Sequence, residues 1–192
     1  MTLIPFLLHR FRRSPFLKAN PGPYCSRPGR NGVDDTYDVV CLATENHIVS
    51  THYWEEEEDA RRIADAITVA LNRYAGWHGL EGESFHEDLA HLRWHYPGPY
   101  KIQRDICPMY GEFSEVRCPA ADQTVVICPH DGWPREKHRV ATVIAHALDL
   151  LLRDYPFAVP RLSNHLRQKP MNAASGKRGG SVIQSRHSCS SR

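Results

Sequence analysis

An α+β fold follows from three features of a 192-residue sequence. Pro21-Gly22-Pro23-Tyr24 recurs as Pro97-Gly98-Pro99-Tyr100, short runs of β-branched and aromatic residues follow each copy, and each half closes on a long stretch of helical periodicity. The predicted architecture is two tandem β-β-α units packed together, with a short linker helix between them and flexible basic ends. The expected boundaries are a basic N-terminal arm at 1–18, a first unit at 19–78 and the linker helix at 79–96. A second unit at 97–157 and a basic, largely disordered tail at 158–192 complete the chain.

In the first unit, Tyr37 to Ala43 and His47 to Tyr53 read as strands joined through Thr44-Glu45-Asn46, a length that suits a hairpin. A helix starting near Glu55 puts Ala60, Ile63, Ala64, Ile67, Leu71 and Tyr74 on one stripe. The linker helix begins at Ser84, which with Glu87 has the spacing of a capping box, and its stripe is Phe85, Leu89, Leu92 and Tyr96. In the second unit the expected strands are Tyr100 to Ile106, Glu115 to Cys118 and Thr124 to Cys128. A helix from about Arg135 to Tyr155 follows, with Val140, Val143, Ile144, Ala147, Leu148, Leu151 and Tyr155 inward. Ala64, Ala66, Leu71 and Tyr74 match Ala145, Ala147, Leu152 and Tyr155, which aligns the helices at an offset of 81 where the strands align at 77. Two strands and one helix are too few to close a core, so the units are expected to fold only together.

Charge is partitioned along the chain. The first 31 residues hold six Lys/Arg and no acid, and the last 37 hold seven and no acid, which leaves all 22 acids against 11 Lys/Arg between them. An acidic body with basic ends suits a basic protein partner for the body, or nucleic acid for arms carrying Arg10, Arg12, Arg13, Lys177 and Arg178. Glu55, Glu56, Glu57 and Glu58 are the candidate partner-binding acids, although an acidic first turn also suits the positive end of a helix dipole. No apolar run is long enough to span a membrane, and Cys25, Cys41, Cys107, Cys118, Cys128 and Cys189 lack any Cys-x-x-Cys spacing. Reduced thiols in a cytoplasm are the expectation.

The opening Pro-Gly-Pro-Tyr, the hairpin and the helix Asp59-Ala60-Arg61-Arg62-Ile63-Ala64-Asp65-Ala66 together resemble small proteins of tailed bacteriophages and prophages. Those proteins start with a Pro-Gly-Pro-Trp-like segment and carry a helix reading roughly Asp-Ala-Arg-Leu-Ile-Ala-Ala-Ala. Tyr24, Arg62 and Asp65 depart from that pattern. The resemblance covers about sixty residues and implies a phage or prophage accessory setting in a bacterial cytoplasm, with no chemistry attached.

Among twelve histidines, His86 and His91 lie five apart, about 140° around a helix, whereas a zinc-protease helix needs four-residue spacing. Asp88, His91 and His95 do share one face, and two imidazoles with a carboxylate are a candidate metal set. Cys128 with His130, His138 and His146 is the candidate for a histidine-activated thiol, set against a buried strand-end cysteine. Trp54 and Trp133 are expected to plug the core where strand meets helix. No catalytic residue and no cofactor are assigned. The expected function is a phage accessory protein that binds a host macromolecule, first a protein with a basic surface. A nucleic-acid-binding regulator acting through its arms and a metal-dependent hydrolase centred on Asp88, His91 and His95 are the alternatives.

Overall fold

The computed structural model describes residues 14–29, 36–52, 57–107, 111–128 and 134–156, all within the compact unit Met1–Pro160. Their elements run α1 (Pro15–Ala19), β1 (Tyr24–Pro28), β2 (Thr36–Cys41), β3 (His47–His52), α2 (Glu57–Ala75), α3 (Phe85–His95), β4 (Lys101–Cys107), β5 (Gly111–Cys118), β6 (Gln123–Ile127) and α4 (Pro134–Asp154). The fold is α+β, as the sequence predicts. One six-stranded antiparallel sheet, ordered β1-β2-β3-β6-β5-β4, carries α2 against β1, β2 and β3, and α4 against β4 and β5. The two long helices pack on each other, α3 packs on α2, and α1 touches α4.

Each half of the sheet has three strands: the second half has the three expected from its sequence, and the first has one more than the two expected. The extra strand in the first half is β1, whose Tyr-Cys-Ser-Arg-Pro lacks apolar alternation because it is an edge paired only with β2. The core lies between sheet and helices and is built from Val39, Val49, Ile67 and Leu71 in the first half and Val116, Val126, Ile144 and Leu148 in the second, all fully buried or nearly so. The apolar stripes of α2 and α4 are therefore inward, as their periodicity requires.

Irregularities recur at a nearly constant separation. The peptide bonds Gly22–Pro23 and Gly98–Pro99 are both cis, and Glu45 and Asp122, 77 residues apart, both have positive φ. Sheet register shifts between Val39 and Val40 and again between Val116 and Arg117. The Tyr24 hydroxyl donates to the Asn20 carbonyl, and the Tyr100 hydroxyl donates to the Tyr96 carbonyl. The Tyr24 N–H is bound by Asn72 of α2, and the Tyr100 N–H by Asp149 of α4.

In those last two bonds the helix partners, Asn72 and Asp149, stand 77 residues apart, at the offset of the strands rather than at the 81 of the helix alignment. Apolar residues spaced four apart still match after a slip of one turn, so side-chain periodicity alone leaves that register open. β3 and β6 meet at Ser50 and Ile127, which are also 77 residues apart. Ser84 does not cap α3 with Glu87; its hydroxyl donates to Asp88 at 2.7 Å. The end of the expected N-terminal arm runs into a helix, Pro15–Ala19, whose Phe16 ring is buried near-parallel to Tyr24.

Candidate functional site

The acidic side of the body is the layer formed by α2 and α3. Between Glu57 and Tyr96 eight Asp/Glu stand against four Arg. Much of that charge is spent internally. Glu58 accepts from Arg61 Nη2 at 2.7 Å and Nε at 3.0 Å, and from Arg62 Nε at 3.0 Å, which brings its carboxyl down to about 2. Arg61 also pairs with Asp65, and its Nη2 lies 3.7 Å from Asp88 Oδ1. Asp65 accepts the Ser26 hydroxyl, so this charge network fastens α2 to the edge strand β1.

Asp88 is buried, with Oδ2 accepting from Ser84, and burial raises its pKa despite that bond. His91 Nε2 faces Asp59 Oδ1 of α2 at 3.3 Å, and its ring lies 4.4 Å from that of His95. Burial depresses the His91 pKa, and the nearby Asp59 only partly offsets it. Asp88 thus turns to Arg61 while His91 turns to Asp59. Among the described residues no three His, Cys, Asp or Glu side chains gather as a metal-binding group.

The remaining sequence candidates separate in space. Cys128 is fully buried, and loss of hydration pushes its thiol up to about 12, the opposite of an activated nucleophile. His138 Nδ1 accepts from Arg104 Nε at 3.3 Å, and His146 lies edge-on to Tyr74 at 5.8 Å, so neither is shown serving that sulfur. His130, Trp54, Trp133, Glu55, Glu56, the Glu57 side chain, and Arg10, Arg12, Arg13, Lys177 and Arg178 lie outside the described residues.

Sequence reasoning missed two features. On the sheet face away from the helices, Ser50 Oγ donates to Asp38 Oδ1 at 2.7 Å, and His47 Nε2 lies 2.9 Å from Ser50 Oγ and 3.4 Å from Asp38 Oδ1. Serine and aspartate meet the same imidazole nitrogen, so the group does not form the relay in which aspartate orients one nitrogen while the other takes the serine proton. It is a cross-strand polar cluster, assembled because Asp38 and Ser50 are register partners.

The second feature is Trp94. It stands 78% exposed on α3, seven residues beyond exposed Glu87 and therefore on the same meridian of that helix. Trp77 and Leu80, in the loop between α2 and α3, are exposed as well. The available signal in the sequence is that Trp94 falls off the Phe85, Leu89, Leu92 stripe, which is inward. No family model matches the chain, and neither a curated protein nor a solved structure matches it.

Proposed function

We propose that the protein works by binding a macromolecule, that its first partner is a protein with a basic surface, and that its setting is a phage or prophage accessory one. The observation that carries the protein-binding reading is Trp94, a large aromatic left in water on an acidic helical layer. Tryptophan is enriched among the residues that dominate interface energy. Glu87, two turns earlier on the same helix face, supplies the charge that steers a basic partner, and the indole face favours Lys or Arg from that partner. The phage setting rests on the resemblance of Pro21 to Ala66 alone.

The same reading takes the body as a duplicated unit, helix then three strands then long helix, with α1 and the end of α3 in equivalent places. Its support is the shared separation of the cis bonds, register shifts, positive-φ residues and strand-to-helix hydrogen bonds. Duplication explains how a surface can specialise without loss of the scaffold: one half keeps the fold closed while the other changes its charges.

The test is partner capture from host cells followed by affinity measurement on the purified partner. Trp94→Ala is expected to weaken binding about 25-fold, roughly 2 kcal/mol, and Glu87→Lys to slow association most at low salt. A partner bound equally by wild type and both variants overturns the reading.

A further inference from the structure

The two edges of the sheet, β1 and β4, are finished differently. On β1, Asn72 takes both the N–H and the carbonyl of Tyr24, which marks Tyr24 as a residue whose backbone turns away from β2, and alternation gives Ser26 and Pro28 the same direction. Pro28 has no N–H, so Ser26 is left as the one outward donor beyond Tyr24 on that edge. β4 is seven residues long, holds no proline and pairs with β5 along its whole length.

The direction of the β4 backbone is fixed at both ends. The Tyr100 N–H donates to Asp149 at 3.1 Å and the Ile106 N–H donates to Asp105 Oδ1 at 2.8 Å, so neither is directed at β5. Antiparallel alternation therefore turns Ile102 and Arg104 outward as well. Among the described residues no hydrogen bond from outside the hairpin reaches the backbone of either. The outward donors are thus taken at Tyr100 and Ile106 and open between them, with Gln103 at the midpoint.

Charge is arranged about that midpoint. Ile102 is the register partner of buried Val116 and faces the helices, so Lys101, Gln103 and Asp105 face the other way. Lys101 and Asp105 are both exposed, and among the described residues neither is in an ion pair. A second copy laid antiparallel along β4 with the two-fold axis at Gln103 sets Lys101 opposite the partner's Asp105, and Asp105 opposite the partner's Lys101. In that register Ile102 and Arg104 exchange backbone hydrogen bonds with the partner's Arg104 and the partner's Ile102. Neighbouring registers are worse: an axis at Lys101, Arg104 or Asp105 puts that charge against itself, and an axis at Ile102 pairs no opposite charges. Charges on an edge ordinarily keep strands apart. Here their order rejects the other registers and matches one. We propose that β4 pairs with the β4 of a second copy of this chain, antiparallel about Gln103, joining two six-stranded sheets edge to edge.

Sedimentation velocity of the full-length protein from about 1 to about 200 µM tests the pairing, and a monomer–dimer equilibrium is expected. Lys101→Glu, which sets two like-charge pairs across the edge, should weaken dimerisation at least about tenfold. A non-hydrogen-bonded antiparallel pair holds its Cα atoms about 4.5 Å apart, within the span of a disulfide. Gln103→Cys should therefore give a reducible dimer under mild oxidation, above the background of the native cysteines seen with wild type. Lys101→Cys should give none of its own and cross-link only when mixed with Asp105→Cys. A wild-type chain that stays monomeric across that range overturns the pairing and leaves the edge to a strand from another protein. A dimer that Lys101→Glu leaves unchanged, or that Lys101→Cys closes as readily as Gln103→Cys, overturns the register.

Discussion

Asn72 and Tyr24 form a closed pair of hydrogen bonds: the Tyr24 N–H donates to Asn72 Oδ1 at 2.8 Å, and Asn72 Nδ2 donates to the Tyr24 carbonyl at 3.0 Å. One buried amide from α2 thereby replaces the neighbour that the first residue of an edge strand lacks. In the second half Asp149 takes only the N–H of Tyr100, at 3.1 Å.

Truncating Asn72 strands both backbone groups away from water. Asn72→Ala is expected to cost about 2–4 kcal/mol, since each unmet buried polar group costs about 1–3 kcal/mol. Asn72→Asp keeps the acceptor and imitates Asp149, so its loss should be smaller. Urea unfolding followed by circular dichroism reads both, and equal losses would show that the retained acceptor contributes nothing and that the donor half carries the pair.

Gly22 and Gly76 separate backbone strain from crowding. Gly22 has φ +81°, and a Cβ there would meet Trp77 Nε1 at 2.8 Å, the indole that donates to the Pro21 carbonyl at 3.0 Å. Gly76 has φ +90° with open space around it. Gly76→Ala should cost about 1 kcal/mol from the left-handed backbone alone. Gly22→Ala should cost clearly more and shift Trp77 fluorescence. Thermal melts that rank the two in the opposite order refute the packing of Trp77 on the turn.

His91 gives the fold an acid-sensitive point between α2 and α3. Its folded pKa is depressed, mainly by burial, so protonation favours the unfolded chain. The stability it contributes is complete above its ordinary value of 6.5 and is lost as pH falls through the lower folded value. Asp59 and Glu58 oppose that shift, while Arg62 and His95 add to it. His91→Gln should therefore flatten the stability–pH profile below pH 6.5 relative to wild type. Parallel profiles for the two proteins would mean the imidazole is not buried as neutral base.

The candidate surfaces were only partly legible in the sequence. Asp88, His91 and His95 share a helix face by spacing, but which way Asp88 turns depends on Arg61, 27 residues earlier and on another helix. Arg104 of β4 meets His138 of α4 at 3.3 Å, and no local pattern connects a strand position to a helix more than 30 residues on. Trp94 was readable as a residue off the apolar stripe, but its exposure depends on which faces of α3 its neighbours cover.

By itself the sequence determined the α+β class, the two long amphipathic helices, the short helix between them and the paired Pro-Gly-Pro-Tyr turns. Those features arise from periodicity and backbone restriction within a few residues, and such interactions are written locally. The tertiary structure alone decided that β1 is a strand, that the halves join through β3 and β6, and that Asn72 of α2 and Asp149 of α4 hold the N–H groups of Tyr24 and Tyr100. An edge strand needs only one partner and little apolar pattern, and a helix of evenly spaced apolar residues accepts a slip of one turn. Hydrogen bonds between residues 48 or 49 positions apart remove those freedoms, and they exist only once the chain has folded.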